Sequence, residues 1–377
     1  MKRCHEGSET GFSLGPLLRI ALVAVAILLA PACRQESFTP IEADDGWRLS
    51  LPEQQGMDPE KVANAYHEAG GLDTLYSLLV VKNGFLVAEK YFNGRDITMA
   101  SSTASVTKSF TSAFAGIALR EGILSSLNQR LAGFFPEIDW ESVDPRKSEI
   151  TLRQVLQMRS GYPWEEADGF LDDLFGRPNW IPLLAEFPLL AHPGARWGYS
   201  NFMSHMMAVV LSRAAGRTLL SFAQEFLFTP LEIEVAQWPR DPNGYYYGMG
   251  DMQFTPRSLA RFGQLYLDRG LFNGRQIIPA EWVDASFQVY SPTTYPTDIM
   301  SSIRQLGYGY FWWSGACGAH LIRYAWGHGG QIIAVARDLN MVVVATAAPQ
   351  PGFDESSWRA EKGVLELVGR LISSLES

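Results

Sequence analysis

The sequence predicts an α+β fold: an antiparallel sheet built from N- and C-terminal segments and flanked by helices, beside an all-helical lobe. Three observations predict it. Strand-like runs rich in β-branched and aromatic residues come early, in "LYSLLVVKNGFLVAEKYF", and late, in "LGYGYFWW", "GHGGQIIAVARDL" and "NMVVVATAA". Helical patterns dominate between them, to about residue 290. A last helical pattern, "WRAEKGVLELVGRLISSL", closes the chain.

The first 33 residues stand apart. Lys2, Arg3 and Arg19 precede the apolar run "IALVAVAILLAPAC", too short to span a bilayer comfortably and ending in Ala30-Pro31-Ala32. Residues 1–33 therefore read as a secretory signal peptide. Cys33 gives the same segment a second reading, a lipoprotein signal cleaved before an acylated cysteine, with lipidated Cys33 as a membrane tether. Either way the chain is expected outside the cytoplasm, in the periplasm or cell envelope. Residues 34–52, polar and irregular, read as a tether, and 53–377 as one domain. "DPEKVANAYHEAG" is a helix with an Asp58 cap, a first-turn Pro59 and closing glycines. Asn83-Gly84 between two apolar runs marks a hairpin. "SVTKSFTSAFAGIALREG" is an apolar helix closed by Gly122. "ITLRQVLQMRSG", "NFMSHMMAVVLSRAAG", "LLSFAQEFLF" and "TPRSLARFGQLYLDRG" follow as helices, the last capped by Thr255. The insert "EEADGFLDDLFGRPNWIPLLAEF" is acidic and aromatic, and its carboxylates read as a solvated rim.

Composition excludes several functions. The 377 residues are 47% hydrophobic and 19% charged, with a net charge of −9, so nothing favours a nucleic-acid partner. After Cys33 only Cys317 remains, a thiol without an intrachain partner, read as a small buried residue. The 6 histidines are scattered, without H-E-x-x-H or a paired His–Asp cluster, so no metal or other cofactor is expected. No G-x-S-x-G elbow supports a Ser-His-Asp hydrolase.

One lysine is out of place. Lys108 lies three residues after Ser105 in "SSTASVTKSFTSAF", a stretch of small, hydroxylated and apolar residues with no polar stripe to join. In a helix starting near Ser105 the two side chains share a face. Burial would disfavour the charged amine, and a neutral lysine can take the serine proton. The opposing reading is an exposed lysine on an amphipathic helix. Two later motifs argue against that: Tyr199-Ser200-Asn201 in "WGYSN" and His328-Gly329-Gly330 in "WGHGGQ".

S-x-x-K, then Y-x-N, then [KH]-x-G near the end resembles the serine β-lactamase and penicillin-binding-protein superfamily. It is most similar to the class C-like branch, with its β-lactamases, D-alanyl-D-alanine carboxypeptidases, family VIII esterases and 6-aminohexanoate-dimer hydrolases. The resemblance runs from about "LPEQQGMDPEKV" to the C-terminus and implies a β-lactamase/transpeptidase-like fold. It implies Ser105 as acylated nucleophile, Lys108 as its activator, and Tyr199 as a second proton shuttle with its ionised form favoured. It also implies Asn201, His328 and Gly329 at the substrate, and the backbone N–H groups of Ser105 and Gln331 as the oxyanion hole.

The triplet departs from the penicillin-recognising pattern, which usually begins with lysine. His328 is read as largely neutral, so a carboxylate-bearing β-lactam loses a permanent cation. Trp326, Tyr308, Tyr310, Phe311, Trp312 and Trp313 crowd the same strands and suggest an aromatic-walled site. The expected activity is hydrolysis of a small-molecule ester or linear amide through an acyl-enzyme. A β-lactamase or D-alanyl-D-alanine carboxypeptidase is the alternative within the family. A non-catalytic binding module of the same fold is the alternative of another class. Glu165 and Glu166 are read as part of the acidic rim, not as a deacylating base.

Overall fold

The computed structural model describes residues 38–293, 301–350, 352 and 354–375. The expected signal segment, Cys33 included, lies outside the described residues. The principal helices are α1 (Pro59–Ala69), α2 (Thr107–Arg120), α3 (Asn201–Ala215), α4 (Pro256–Leu267) and α5 (Glu355–Ser374). The principal strands are β1 (Leu75–Lys82), β2 (Phe85–Tyr91), β3 (Arg304–Tyr308), β4 (Trp313–Cys317), β5 (His320–Gly327), β6 (Gln331–Ala336) and β7 (Met341–Ala347).

The strands form a 7-stranded sheet in the order β2-β1-β7-β6-β5-β4-β3, and each neighbouring pair is antiparallel. The early hairpin thus joins the late strands through β1 and β7, as the split strand pattern predicts. Every residue of β6 and β7 is buried, so both faces of the sheet are covered there. α4 packs on β7, β6 and β1, while α5 packs on α1 and on β7. Close approach of α4 depends on Gly263. A Cβ there would come within 2.6 Å of Val342 and 2.8 Å of Ile333.

The hairpin turns at Asn83 and Gly84, both in the left-handed region that a tight turn requires. α1 and α4 start at the expected caps, Asp58 accepting from Glu60 N and Lys61 N, Thr255 accepting from Ser258 N. "ITLRQVLQMRSG" yields a shorter helix than expected, Leu152–Leu156, because Met158 turns left-handed and ends it.

The expected tether proves to be packed from Phe38 onward. Glu89 N donates to Phe38 O at 2.7 Å, Phe38 stacks on Tyr66, and Leu49 bridges to Leu86. Arg257, on α4, fixes this segment. It donates to Glu89 and to Asp45, each at 2.8 Å. Polarity suggested a loose segment, and Glu42, Asp44 and Arg48 are indeed exposed, but Asp45 pairs with buried Arg257 and holds the segment down. The helical lobe between the sheet halves is built around α2 and α3, whose first twelve residues each are buried without a break. A helix apolar all round has to be enclosed, and its only lysine goes in with it.

Candidate active site

A short strand, Ser101–Ser102, pairs with Gln253–Phe254 and leads into a single 3₁₀ turn, Ala104–Val106, at the mouth of α2. Ala104 holds a left-handed φ of 43°, pinned by its N–H on Ser102 Oγ and its carbonyl under Asp251 N. Ser105 follows at the surface of a cleft, while Lys108, one turn on, is 1% exposed.

Lys108 Nζ lies 2.9 Å from Ser105 Oγ, 2.7 Å from Asn201 Oδ1 and 2.6 Å from the Met249 carbonyl. Burial pulls its pKa down to about 8, against the opposing pull of Glu166, Glu165 and Asp251. The three neighbours suit a neutral amine. Asn201 Oδ1 and the Met249 carbonyl accept its two N–H groups, which leaves the lone pair for the serine proton. Tyr199 lies within hydrogen-bonding reach of Ser105, and Lys108 Nζ sits 4.8 Å from its ring centroid.

The tyrosine corrects an expectation. Its ionised form is not favoured: burial raises the phenol pKa, and Glu166, Glu165 and Glu361 add to that, outweighing the Ser105 hydrogen bond. Tyr199 is therefore a proton donor at neutral pH.

His328 is the second correction. Its Nε2 lies 2.8 Å from the Gly352 carbonyl and its Nδ1 2.7 Å from Glu361 Oε2. An acceptor faces each ring nitrogen, an arrangement that favours the doubly protonated ring. Burial alone would lower the pKa, but Glu361 and the Gly352 carbonyl outweigh it and raise it. Both ring nitrogens thus face acceptors within the protein. Gly329 N also donates to Glu361 Oε2, at 2.8 Å, so this expected substrate contact faces α5 instead.

The insert carboxylates are the third correction. Glu165 is fully buried, not part of a rim. It accepts from Ser200 Oγ at 2.6 Å, Asn201 N at 2.7 Å and Phe202 N at 3.2 Å, capping α3 from across the lobe. Burial raises its pKa to about 7, with Glu166 adding to the rise against the Ser200 hydrogen bond. Glu166 accepts from Asn201 Nδ2 at 2.6 Å and from Trp164 Nε1 at 2.7 Å. The Asn201 amide, expected at the substrate, therefore bridges Lys108 and Glu166.

A buried pair braces the site. His205 Nε2 lies 2.9 Å from Asp241 Oδ2, both side chains fully buried. Gly248 N donates to His205 Nδ1, and the next residue supplies the Met249 carbonyl that holds Lys108. The sequence offered no local signal for this pair, 36 residues apart.

Two hollows meet at Ser105, sharing Glu166 and His328. One, open to solvent, spans about 480 Å³ of empty space and is lined by Trp164, Tyr199, Trp313, Trp326 and Trp358. The other, also open, spans about 770 Å³, with Asn201, Asp251 and Gln331 in its wall. Of the aromatics singled out, Trp313 and Trp326 reach the cleft. Tyr308, Tyr310, Phe311 and Trp312 are fully buried and absent from both walls. Gly327 brings the end of β5 against the nucleophile: a Cβ there would stand 2.3 Å from Thr103 O and 3.0 Å from Ser105 N. Cys317 is buried, its thiol pushed up to about 12 by burial, and takes no part in either wall.

A seven-stranded antiparallel sheet with a helical lobe, and a serine–lysine pair in the cleft, define a β-lactamase-type protein. The Beta-lactamase family model matches residues 64–365, and the chain belongs to that family. Among curated proteins it is 30% identical to lovastatin esterase from Penicillium rubens over 159 residues, 36% of this chain and 38% of the esterase. An uncharacterized protein of Alkalihalophilus pseudofirmus is 24% identical, over 58% of this chain and 66% of its own length. The chain thus spans two thirds or less of the length of these curated relatives. Among solved structures, D-amino acid amidase from Ochrobactrum anthropi has a TM-score of 0.63 at 16% identity, covering 83% of this chain and 98% of the amidase. The family and the esterase likeness support a hydrolase related to the β-lactamases, and the amidase likeness shows a shared fold.

Proposed function

We propose that the protein hydrolyses a carboxylic ester or linear amide of a small molecule through an acyl-enzyme on Ser105. The observation that carries this reading is the buried Lys108 amine 2.9 Å from Ser105 Oγ. Neutral Lys108 takes the serine proton as Oγ attacks the carbonyl carbon. The oxyanion forms against the N–H groups of Ser105 and Gln331. Tyr199, held as a phenol, gives its proton to the leaving alkoxide or amine and is reprotonated from Lys108. Water then attacks the acyl-enzyme with the Lys108–Tyr199 pair as base, and release restores Ser105.

An ester or linear amide is favoured over a β-lactam because His328 turns its ring nitrogens to Glu361 and the Gly352 carbonyl and not to a substrate carboxylate. The likeness to an esterase and an amidase agrees with that choice. The test is turnover of p-nitrophenyl butyrate beside nitrocefin, with Ser105→Ala as control. Ester turnover that exceeds nitrocefin turnover and vanishes in the variant is expected. Unchanged ester turnover in Ser105→Ala would refute the assignment.

Export, through cleavage after residue 32 or lipidation of Cys33, is part of the same reading. Mass spectrometry of the mature N-terminus tests it, and an intact Met1 would sink it.

A further inference from the structure

We propose that the aromatic hollow beside Ser105 binds an organic ammonium group, so that the preferred substrate is an ester or amide carrying an alkylammonium ion. This rests on the hydrolase reading above. Five aromatic side chains, Trp164, Tyr199, Trp313, Trp326 and Trp358, and the carboxylate of Glu166 line one hollow with the nucleophile. Four of the rings form a connected wall, and Trp358 packs edge-on to His328 at 5.0 Å. Tyr199 and Trp313 stack with centroids 5.7 Å apart, Trp313 and Trp326 lie 5.3 Å apart, and Trp164 meets Tyr199 edge-on at 6.2 Å. Such a wall attracts a soft cation through the ring quadrupoles and offers nothing to an anion. Lys108 Nζ lies 4.8 Å from the Tyr199 centroid, so the guest is bound by the form in which that amine is neutral.

The charges in the cleft favour the same guest. His328 has the Glu361 carboxylate at 2.7 Å, and Lys108 directs its nitrogen at Ser105, Asn201 and Met249. Among the described residues Glu166 takes hydrogen bonds from neutral groups, Asn201 Nδ2 and Trp164 Nε1, and forms no salt bridge. Its charge does reach Lys108 and His328. With Lys108 neutral, a cation entering the hollow meets aromatic rings and two carboxylates, Glu166 and Glu361, against the single imidazole of His328, whereas a neutral isostere gains only from the rings.

The experiment compares two ester pairs matched in shape: choline butyrate against 3,3-dimethylbutyl butyrate, and p-nitrophenyl 6-(trimethylammonio)hexanoate against p-nitrophenyl 7,7-dimethyloctanoate. The readout is the ratio of kcat/KM, cationic over neutral, taken within each enzyme form so that the amount of folded protein cancels. A ratio above about fivefold in at least one pair is expected. Glu166→Gln and Trp358→Leu should each cut it at least about threefold. Ratios at or below fivefold in both pairs overturn the inference, as does a preference that survives both substitutions. If no ester is turned over, the hydrolase reading fails and the hollow is tested by itself. Quenching of tryptophan fluorescence by tetramethylammonium chloride, beyond that by equal sodium chloride and lost in Trp358→Leu, would sustain it. Equal quenching by the two salts would overturn it.

Discussion

Lys108 controls the pH dependence of the proposed reaction. With a pKa of about 8, roughly 9% of the amine is neutral at pH 7 and about 90% at pH 9. If only the neutral form accepts the Ser105 proton, kcat/KM for an ester should rise about tenfold between pH 7 and 9 and level off above that. The direction follows from the base role: deprotonation activates. Two other groups titrate nearby, Glu165 at about 7 and His328 above its ordinary value. The profile should therefore be recorded in Glu165→Gln as well, where a rise centred on Lys108 persists. Lys108→Arg keeps a permanent charge at the same place and should lower kcat on the order of 10³-fold at every pH. Steady-state hydrolysis of p-nitrophenyl butyrate from pH 6 to 9.5, corrected for spontaneous hydrolysis, measures both. A flat profile in the wild type, or an active Lys108→Arg enzyme, refutes the reasoning.

Three further outcomes follow from the packing. Gly327→Ala pushes a methyl group into Thr103 O and towards Ser105 N; ester turnover should fall on the order of 10²-fold, with circular dichroism showing a retained fold. Arg257→Ala leaves Glu89 as an uncompensated buried charge and should cost about 3–5 kcal/mol in urea unfolding. Glu165 titrates near 7 in the folded protein against 4.5 for a free carboxyl. A raised carboxyl pKa gives stability that is complete below about 4.5 and lost as pH rises through 7, up to about 3 kcal/mol. The stability of Glu165→Gln should therefore fall less between pH 5 and 8, measured by Tm against pH.

The parts legible in the sequence were those with local chemistry. Asn83-Gly84, Asp58-Pro59 and Thr255-Pro256 announced a turn and two helix starts because each satisfies its own backbone. The burial of Lys108 could be read from neighbours that offer it no polar stripe. What escaped were side chains whose meaning depends on distant partners. Glu165 sits in an acidic insert and is indistinguishable by composition from a surface carboxylate. Only its contact with residues 35 to 37 positions later shows it as the cap of α3. The charge of His328 depends on Glu361, carried by an ordinary amphipathic helix. The Tyr199 phenol was read from the lysine beside it, when burial and three carboxylates decide its state.

The sheet order also bears on how the chain can be cut. Ser77 on β1 and Thr346 on β7 share a 2.7 Å hydrogen bond across 269 residues, so the early hairpin has its partner only when the last strand exists. A polypeptide stopped before Met341 would carry Ser105, Lys108, Tyr199 and His328 alike, yet have no platform on which to assemble them. Such a fragment should be insoluble and not merely slow, and supplying the missing C-terminal piece as a separate chain is the way to rescue it.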